Sequence, residues 1–219
     1  MNDKRFYILT LVFDSIIIAS SAFGTISALV GFYFMMDVER MASAPYFCTF
    51  TGLSNLYVGL VALTCLIVRI VKKEAKLPLW AFLLKLSSVS MIGVTMLTTA
   101  VYLVPSAKES WWRLYVNANL INHLVTPVLA FIGYVVFEKK MEFKYKFVPL
   151  TIVPLFIYII FYLIRAIPHY NPSGEVDLYY DIYAVTRVGI IPLFGFILVF
   201  LGLALLLSTG LYVQNQKKK

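Results

Sequence analysis

Phe47-Cys48-Thr49-Phe50-Thr51-Gly52-Leu53-Ser54-Asn55 is a polar interruption at the head of an apolar run that continues to about residue 70. Thr51, Ser54 and Asn55 fall at i, i+3 and i+4, so on a helix they share one face. Asn119-Leu120-Ile121-Asn122-His123-Leu124-Val125-Thr126-Pro127 repeats the device. There Asn119, Asn122, His123 and Thr126 stand at i, i+3, i+4 and i+7. Both stretches lie in segments that otherwise read as membrane-spanning helices. Polar groups in hydrocarbon are costly to desolvate, so such sets are expected to face a bundle interior and mark a site.

The rest of the chain has the same apolar character. Of its 219 residues, 61% are hydrophobic and 14% charged, with mean hydropathy +0.84. A soluble domain carries about a quarter charged residues. Apolar runs at about 7–34, 46–70, 79–104, 114–137, 147–164 and 183–212 approach or exceed the ~20 residues that cross a bilayer as a helix. Only helices and closed barrels satisfy the backbone in lipid, and the alternation of barrel strands is absent. The expectation is an all-α, polytopic membrane protein: one six-helix domain over residues 1–219. The first run is too long for a signal-peptide core.

A net charge of +8 and a pI near 9.4 would suit nucleic acid if the cations were clustered. They sit instead in short loops between apolar runs, as topology signals do. Lys4, Arg5, Arg69, Lys72, Lys73, Lys76, Lys139, Lys140, Lys144, Lys146 and Lys217–Lys219 mark one side. Arg40, Lys108, Arg113, Arg165 and Arg187 are the sparser set on the other. Both termini are therefore expected in the cytoplasm, with the protein multi-pass in the cell membrane. Trp111, Trp112, Tyr115, Tyr170, Tyr179, Tyr180 and Tyr183 would form the outer aromatic belt. Pro172 spoils the Asn171-Pro172-Ser173 match to a glycosylation acceptor.

Cys48 and Cys65, read as opposite ends of one helix, would lie about 26 Å apart and cannot bridge within it. Val153-Pro154-Leu155-Phe156 and Ile191-Pro192-Leu193-Phe194 resemble each other, but four apolar residues do not establish a repeat of the kind transporters show. Neither a cofactor nor a metal is implied. The oligomeric state is not legible.

Asp14 and Lys85 lie equally deep in segments one and three, counted from the same side. A lone charge there costs about 2.5–3.5 kcal/mol on insertion scales, and pairing removes much of that. An Asp14–Lys85 ion pair with a packing role is expected, ahead of a proton relay. Arg165 and Arg187, at the outer ends of segments five and six, either snorkel to the interface or hold a lipid phosphate or carboxylate.

Thr51 and His123 fall at similar depth below their helix starts, about 7–14 Å. A threonine hydroxyl becomes a nucleophile when a base takes its proton, and neutral imidazole is the usual base. Pro127 deprives the carbonyl of His123 of its helical partner and should kink the helix there. Asn55, Asn119 and Asn122 are candidates to orient the histidine or donate to an oxyanion, with Ser54 beside them. The competing explanation is interhelical glue, worth about 0.6 kcal/mol per hydrogen bond.

Phe50-Thr51-Gly52-Leu53-Ser54-Asn55 and His123-Leu124-Val125-Thr126-Pro127 resemble the bacterial six-span relatives of the androgen-induced and androgen-dependent TFPI-regulating membrane proteins. The animal proteins are threonine hydrolases of fatty acid esters of hydroxy fatty acids. The proline stands one residue nearer the histidine than in the animal pattern, and Ser54-Asn55 belongs to the bacterial form. The resemblance implies Thr51 as nucleophile, His123 as its partner and a membrane lipid or fatty acyl ester as substrate. Thr49 is a neighbouring hydroxyl whose spacing to Asn55 does not fit. The alternatives are a non-enzymatic carrier or lipid- or partner-binding protein using the same pocket, and a purely structural bundle.

Overall fold

The computed structural model describes residues 3–30, 46–169, 177, 179–183 and 189–218. Six helices in it are long and apolar enough to cross a membrane, and no strand occurs among the described residues. We name them α1 (Asp3–Val30), α2 (Phe50–Lys72), α3 (Leu79–Ser106), α4 (Asn117–Phe137), α5 (Tyr145–His169) and α6 (Ile190–Gln216). The protein is a six-span helical membrane bundle. We call the end carrying Asp3 and Gln216 the near end, and the other the far end.

Buriedness sets the order of packing. Of the spanning stretch of α3, 72% is buried, against 39% or less for every other helix. It is the central helix, touching α2, α4, α5 and α6, while α1 packs on α2 and α4. Its Ser87, Ser88, Ser90, Gly93 and Thr95 allow close approach, as small residues do between helices in lipid. Ser87 donates to Thr151 O at 2.6 Å, and Ser208 joins Ser90 and Thr151 at 2.8 Å each, tying α3, α5 and α6.

Two helices contain the same local widening. In α3 the N–H of Val104, just before Pro105, bonds back to Thr99 O. In α4 the N–H of Thr126, just before Pro127, bonds back to Ile121 O. Each proline lacks the N–H that would continue the ordinary ladder, and a five-residue π-turn absorbs the defect. Thr99–Leu103 and Ile121–Val125 are these turns, in identical register to their prolines.

Some expected boundaries move. Tyr46 and Cys48 belong to a 3-10 turn before α2, so Cys48 is not on the helix that holds Cys65. Leu114 and Tyr115 lie in a 3-10 segment before α4. Tyr183, read as the start of segment six, precedes α6 and sits in a turn. Arg40, Tyr170, Asn171–Gly174 and Arg187 lie outside the described residues.

At the near end, four charged side chains are buried together, three from α1, α2 and α3 and the fourth from Glu138, which ends α4. Lys85 Nζ is 2.9 Å from Asp14 Oδ1 and 2.9 Å from Glu138 Oε2. Arg69 pairs with Asp14 and holds Glu138 through Nη2 at 2.7 and 2.8 Å. Its Nε donates to Ala75 O at 3.0 Å. Two cations and two anions cancel, and the guanidinium fork meets a carboxylate with both oxygens engaged. Arg69, read from sequence as a topology signal, is 0% exposed. Lys218 reaches across from beyond α6 and donates to Tyr134 O and Glu138 O at 3.0 and 2.6 Å. It thus satisfies carbonyls that the end of α4 leaves open.

Candidate functional site

Thr49 begins α2 as its N-cap. Its hydroxyl accepts from Gly52 N–H at 2.9 Å and donates to Tyr46 O at 2.7 Å, so both of its roles are taken. Thr51 follows in the first turn of the helix rather than five residues in. Its hydroxyl has no hydrogen-bond partner among the described residues. Thr51 lies about 60° around the helix from Ser54 and about 40° from Asn55, between their directions. Ser54 Oγ meets Thr95 Oγ1 of α3 at 2.7 Å. Asn55 Nδ2 donates to Asn122 O of α4 at 3.0 Å and to Thr51 O at 2.9 Å. Thr51 therefore points into the bundle on the side of α3.

A cavity of about 110 Å³ opens between α2, α3, α5 and α6, and Thr51 is on its wall. Thr95, Thr98 and Thr99 of α3 line it, with the spacing i, i+3, i+4 already seen at Thr51, Ser54 and Asn55. Tyr158, Tyr162 and Tyr183 contribute rings, and Leu193, Ile197 and Phe200 of α6 complete an apolar wall. The Tyr183 hydroxyl accepts from Phe50 N–H at 2.8 Å, covering the open N-terminus of α2. Tyr162 OH bonds Asp181, so the described part of the segment before α6 folds over the cavity. Tyr183 is thereby a cavity residue rather than a member of an outer belt, whereas Trp111, Trp112 and Tyr179 are exposed. A wider groove of about 520 Å³ runs between α2 and α5. It shares Phe50 and Tyr158 with the cavity, and those rings stand 5.1 Å apart.

His123 lies on the π-turn of α4 and is 6% exposed. Its Nδ1 is 2.9 Å from Leu114 O. A carbonyl only accepts, so Nδ1 carries the proton; in neutral imidazole the lone pair is then on Nε2. No hydrogen bond joins His123 to Thr51 among the described residues, and His123 is not on the wall of the Thr51 cavity. The link between their helices is Asn55, bonded to the carbonyl of the residue before His123.

The other expected site residues divide. Asn122 Nδ2 donates to Gly24 O of α1 at 3.4 Å, and Ser20 meets Thr126 at 2.7 Å. Ser21 Oγ donates to Asn55 O at 2.6 Å. A Cβ on Gly24 would lie 2.3 Å from Asn122 Oδ1, so glycine is what lets α1 approach α4. Asn119 turns away and donates to Arg113 O at 3.1 Å, fastening the preceding 3-10 segment. Arg165 donates to Tyr179 O at 2.7 Å and lies over the Phe161 and Tyr179 rings, off the cavity wall.

Among the described residues no group of three or more His, Cys, Asp or Glu side chains is placed to hold a metal. Compared with family models, with curated proteins and with solved structures, the chain matches none.

Proposed function

We propose that the protein is an intramembrane threonine hydrolase of fatty acyl esters, with Thr51 as nucleophile and His123 as general base and then general acid. The observation that carries this reading is a half-buried hydroxyl without a protein partner on the wall of an apolar cavity, on a helix that Asn55 fastens to the turn bearing a tautomer-fixed imidazole. The cavity suits a hydrocarbon chain, because a lipid tail loses no hydrogen bond on entering it. Thr51 Oγ1 attacks the acyl carbonyl, its proton passes to Nε2 of His123, and the leaving alcohol takes that proton. Tyr183, held by Phe50 N–H, keeps its own proton to offer the developing oxyanion. Asn55 and Asn119 have their amide hydrogens engaged on backbone carbonyls and act as fasteners. Catalytic contacts that are open at rest tighten when substrate enters. The resemblance of the Phe-Thr-x-x-Ser-Asn and His-x-x-Thr-Pro stretches to the six-span threonine hydrolases supports the same assignment. On this reading the lysine and arginine bias supports a near end in the cytoplasm and a site beneath the outer face of the cell membrane.

A second reading draws on the separation of His123 from the cavity wall: the cavity binds a lipid chain, as in a carrier, without chemistry. Incubation of the purified protein with a fluorophosphonate probe decides between them. Hydrolysis predicts covalent labelling at Thr51, lost in Thr51→Ala and reduced in His123→Gln. Labelling unaffected by Thr51→Ala defeats the nucleophile, and absence of labelling with retained lipid binding favours the carrier.

A further inference from the structure

Four buried oxygens from three helices and the turn before α2 have no hydrogen-bond partner among the described residues: Thr25 Oγ1, Tyr46 OH, Asn55 Oδ1 and Asn122 Oδ1. Thr25, Asn55 and Asn122 are 9%, 0% and 1% exposed. One unsatisfied buried acceptor costs about 1–3 kcal/mol, so native interiors leave few. Here the bonding brings several together. Asn55 Nδ2 holds Asn122 O, Asn122 Nδ2 holds Gly24 O, and Gly24 precedes Thr25. Tyr46 is close enough to Thr25 and Asn122 that both oppose the upward push of burial on its phenol. None of the four oxygens has a hydrogen-bond partner of ordinary geometry among the described residues.

We infer that an ordered water molecule sits at this junction of α1, α2 and α4. Amide oxygens only accept, while the two hydroxyls can donate. The water donates to Asn55 and Asn122 and accepts from Thr25 and Tyr46, which uses all four of its hydrogen-bonding positions. Among the described residues no carboxylate is shown at the junction to balance a cation: Asp14 and Glu138 are at the near end, paired with Arg69 and Lys85.

Building on the hydrolase reading, this water is the one that releases the acyl group. Its oxygen forms a bond to the acyl carbon of acyl-Thr51, and its proton goes to Nε2 of His123. The carbon–Oγ1 bond breaks, Oγ1 takes the proton from His123, and a fatty acid leaves. Bulk water has no ready path into hydrocarbon, so a stored molecule held by Asn122, the residue before His123, supplies the step. Thr25 and Tyr46 are positioning residues.

The test uses the full chain in lipid nanodiscs. Hydroxyl radicals generated from bound water by an X-ray pulse should oxidise Tyr46 several-fold faster than Phe82, which lies in the apolar core. The isosteric Thr25→Val should bring Tyr46 down toward the Phe82 rate. Equal rates in the wild type, or a Tyr46 rate indifferent to Thr25→Val, overturn the water whatever the activity. With a chromogenic fatty acyl ester, Thr25→Val and Tyr46→Phe should keep the first-turnover burst and slow the steady rate. A burst and steady rate that fall together, or neither changing, overturn its role in deacylation. A wild type that labels at Tyr46 yet shows no turnover supports the water while the hydrolase reading fails.

Discussion

The Asn55 side chain donates at 3.0 Å to the main-chain oxygen of Asn122, so one amide fastens α2 to the π-turn that carries His123. Thr51 is one turn before Asn55, and its carbonyl takes the other hydrogen of the same amide. The spacing of the two candidate catalytic residues thus depends on a side chain that is neither of them. Each consequence below follows from how that frame is built.

Removing the cap of α2 should weaken the helix without touching the chemistry. Thr49→Ala leaves Gly52 N–H without its acceptor, a loss of about 1 kcal/mol. Thermal unfolding in detergent is expected to shift down modestly, with probe labelling at Thr51 retained. Labelling lost at unchanged stability would transfer the nucleophile to Thr49.

Pro127→Ala restores an N–H and allows the π-turn at Ile121–Val125 to close into ordinary helix. His123 would then rotate away from Leu114 O. Stability should hold or rise, while acyl-ester turnover falls about 100-fold, as a displacement near 1 Å can produce. Paired melting curves and rates check this.

The near-end quartet makes acid sensitivity predictable. Burial works to raise the Glu138 carboxyl, but Lys85 and Arg69 outweigh it and hold the group below the usual carboxylate range. A depressed acid contributes stability above its unfolded value, about 4.3, and loses it as pH falls through the folded value. Melting temperature should therefore be level from neutral pH down to about 5 and fall below about 4. Glu138→Gln leaves Arg69 and Lys85 short of an anion, a loss of about 3–5 kcal/mol at neutral pH, and flattens that acid limb.

Filling the cavity should sort substrates by length. Thr98→Phe places a ring where a hydrocarbon tail is proposed to lie. Turnover of long-chain esters should fall about tenfold or more while short-chain esters are spared, since each methylene matters in an apolar pocket. Uniform loss across chain lengths would place the tail elsewhere.

The spans were legible because bilayer thickness imposes a minimum apolar length that no local detail overrides. The boundaries at Tyr46, Leu114 and Tyr183 were not: apolar and aromatic text reads alike in a helix and in a turn packed against one. Arg69 looked like a loop cation because its partner Glu138 is 69 residues away, and only the fold joins them. Thr95, Thr98 and Thr99 repeat the spacing of Thr51, Ser54 and Asn55 and went unread, as did Ser20, Ser21, Gly24 and Thr25 on α1. Their hydroxyls resemble ordinary interhelical glue until a cavity or an orphan oxygen is seen beside them. The proline defects were readable as kinks. Their form as π-turns of matched register required the backbone.

The charge quartet also constrains how the bundle is made. Asp14, Arg69 and Lys85 each belong to a separate helix that precedes Glu138 in the chain. Any of these helices handed singly to lipid would carry one uncompensated ion. Each helix inserted alone bears that cost until its partners dock, so the quartet rewards late association of helices far apart in the chain.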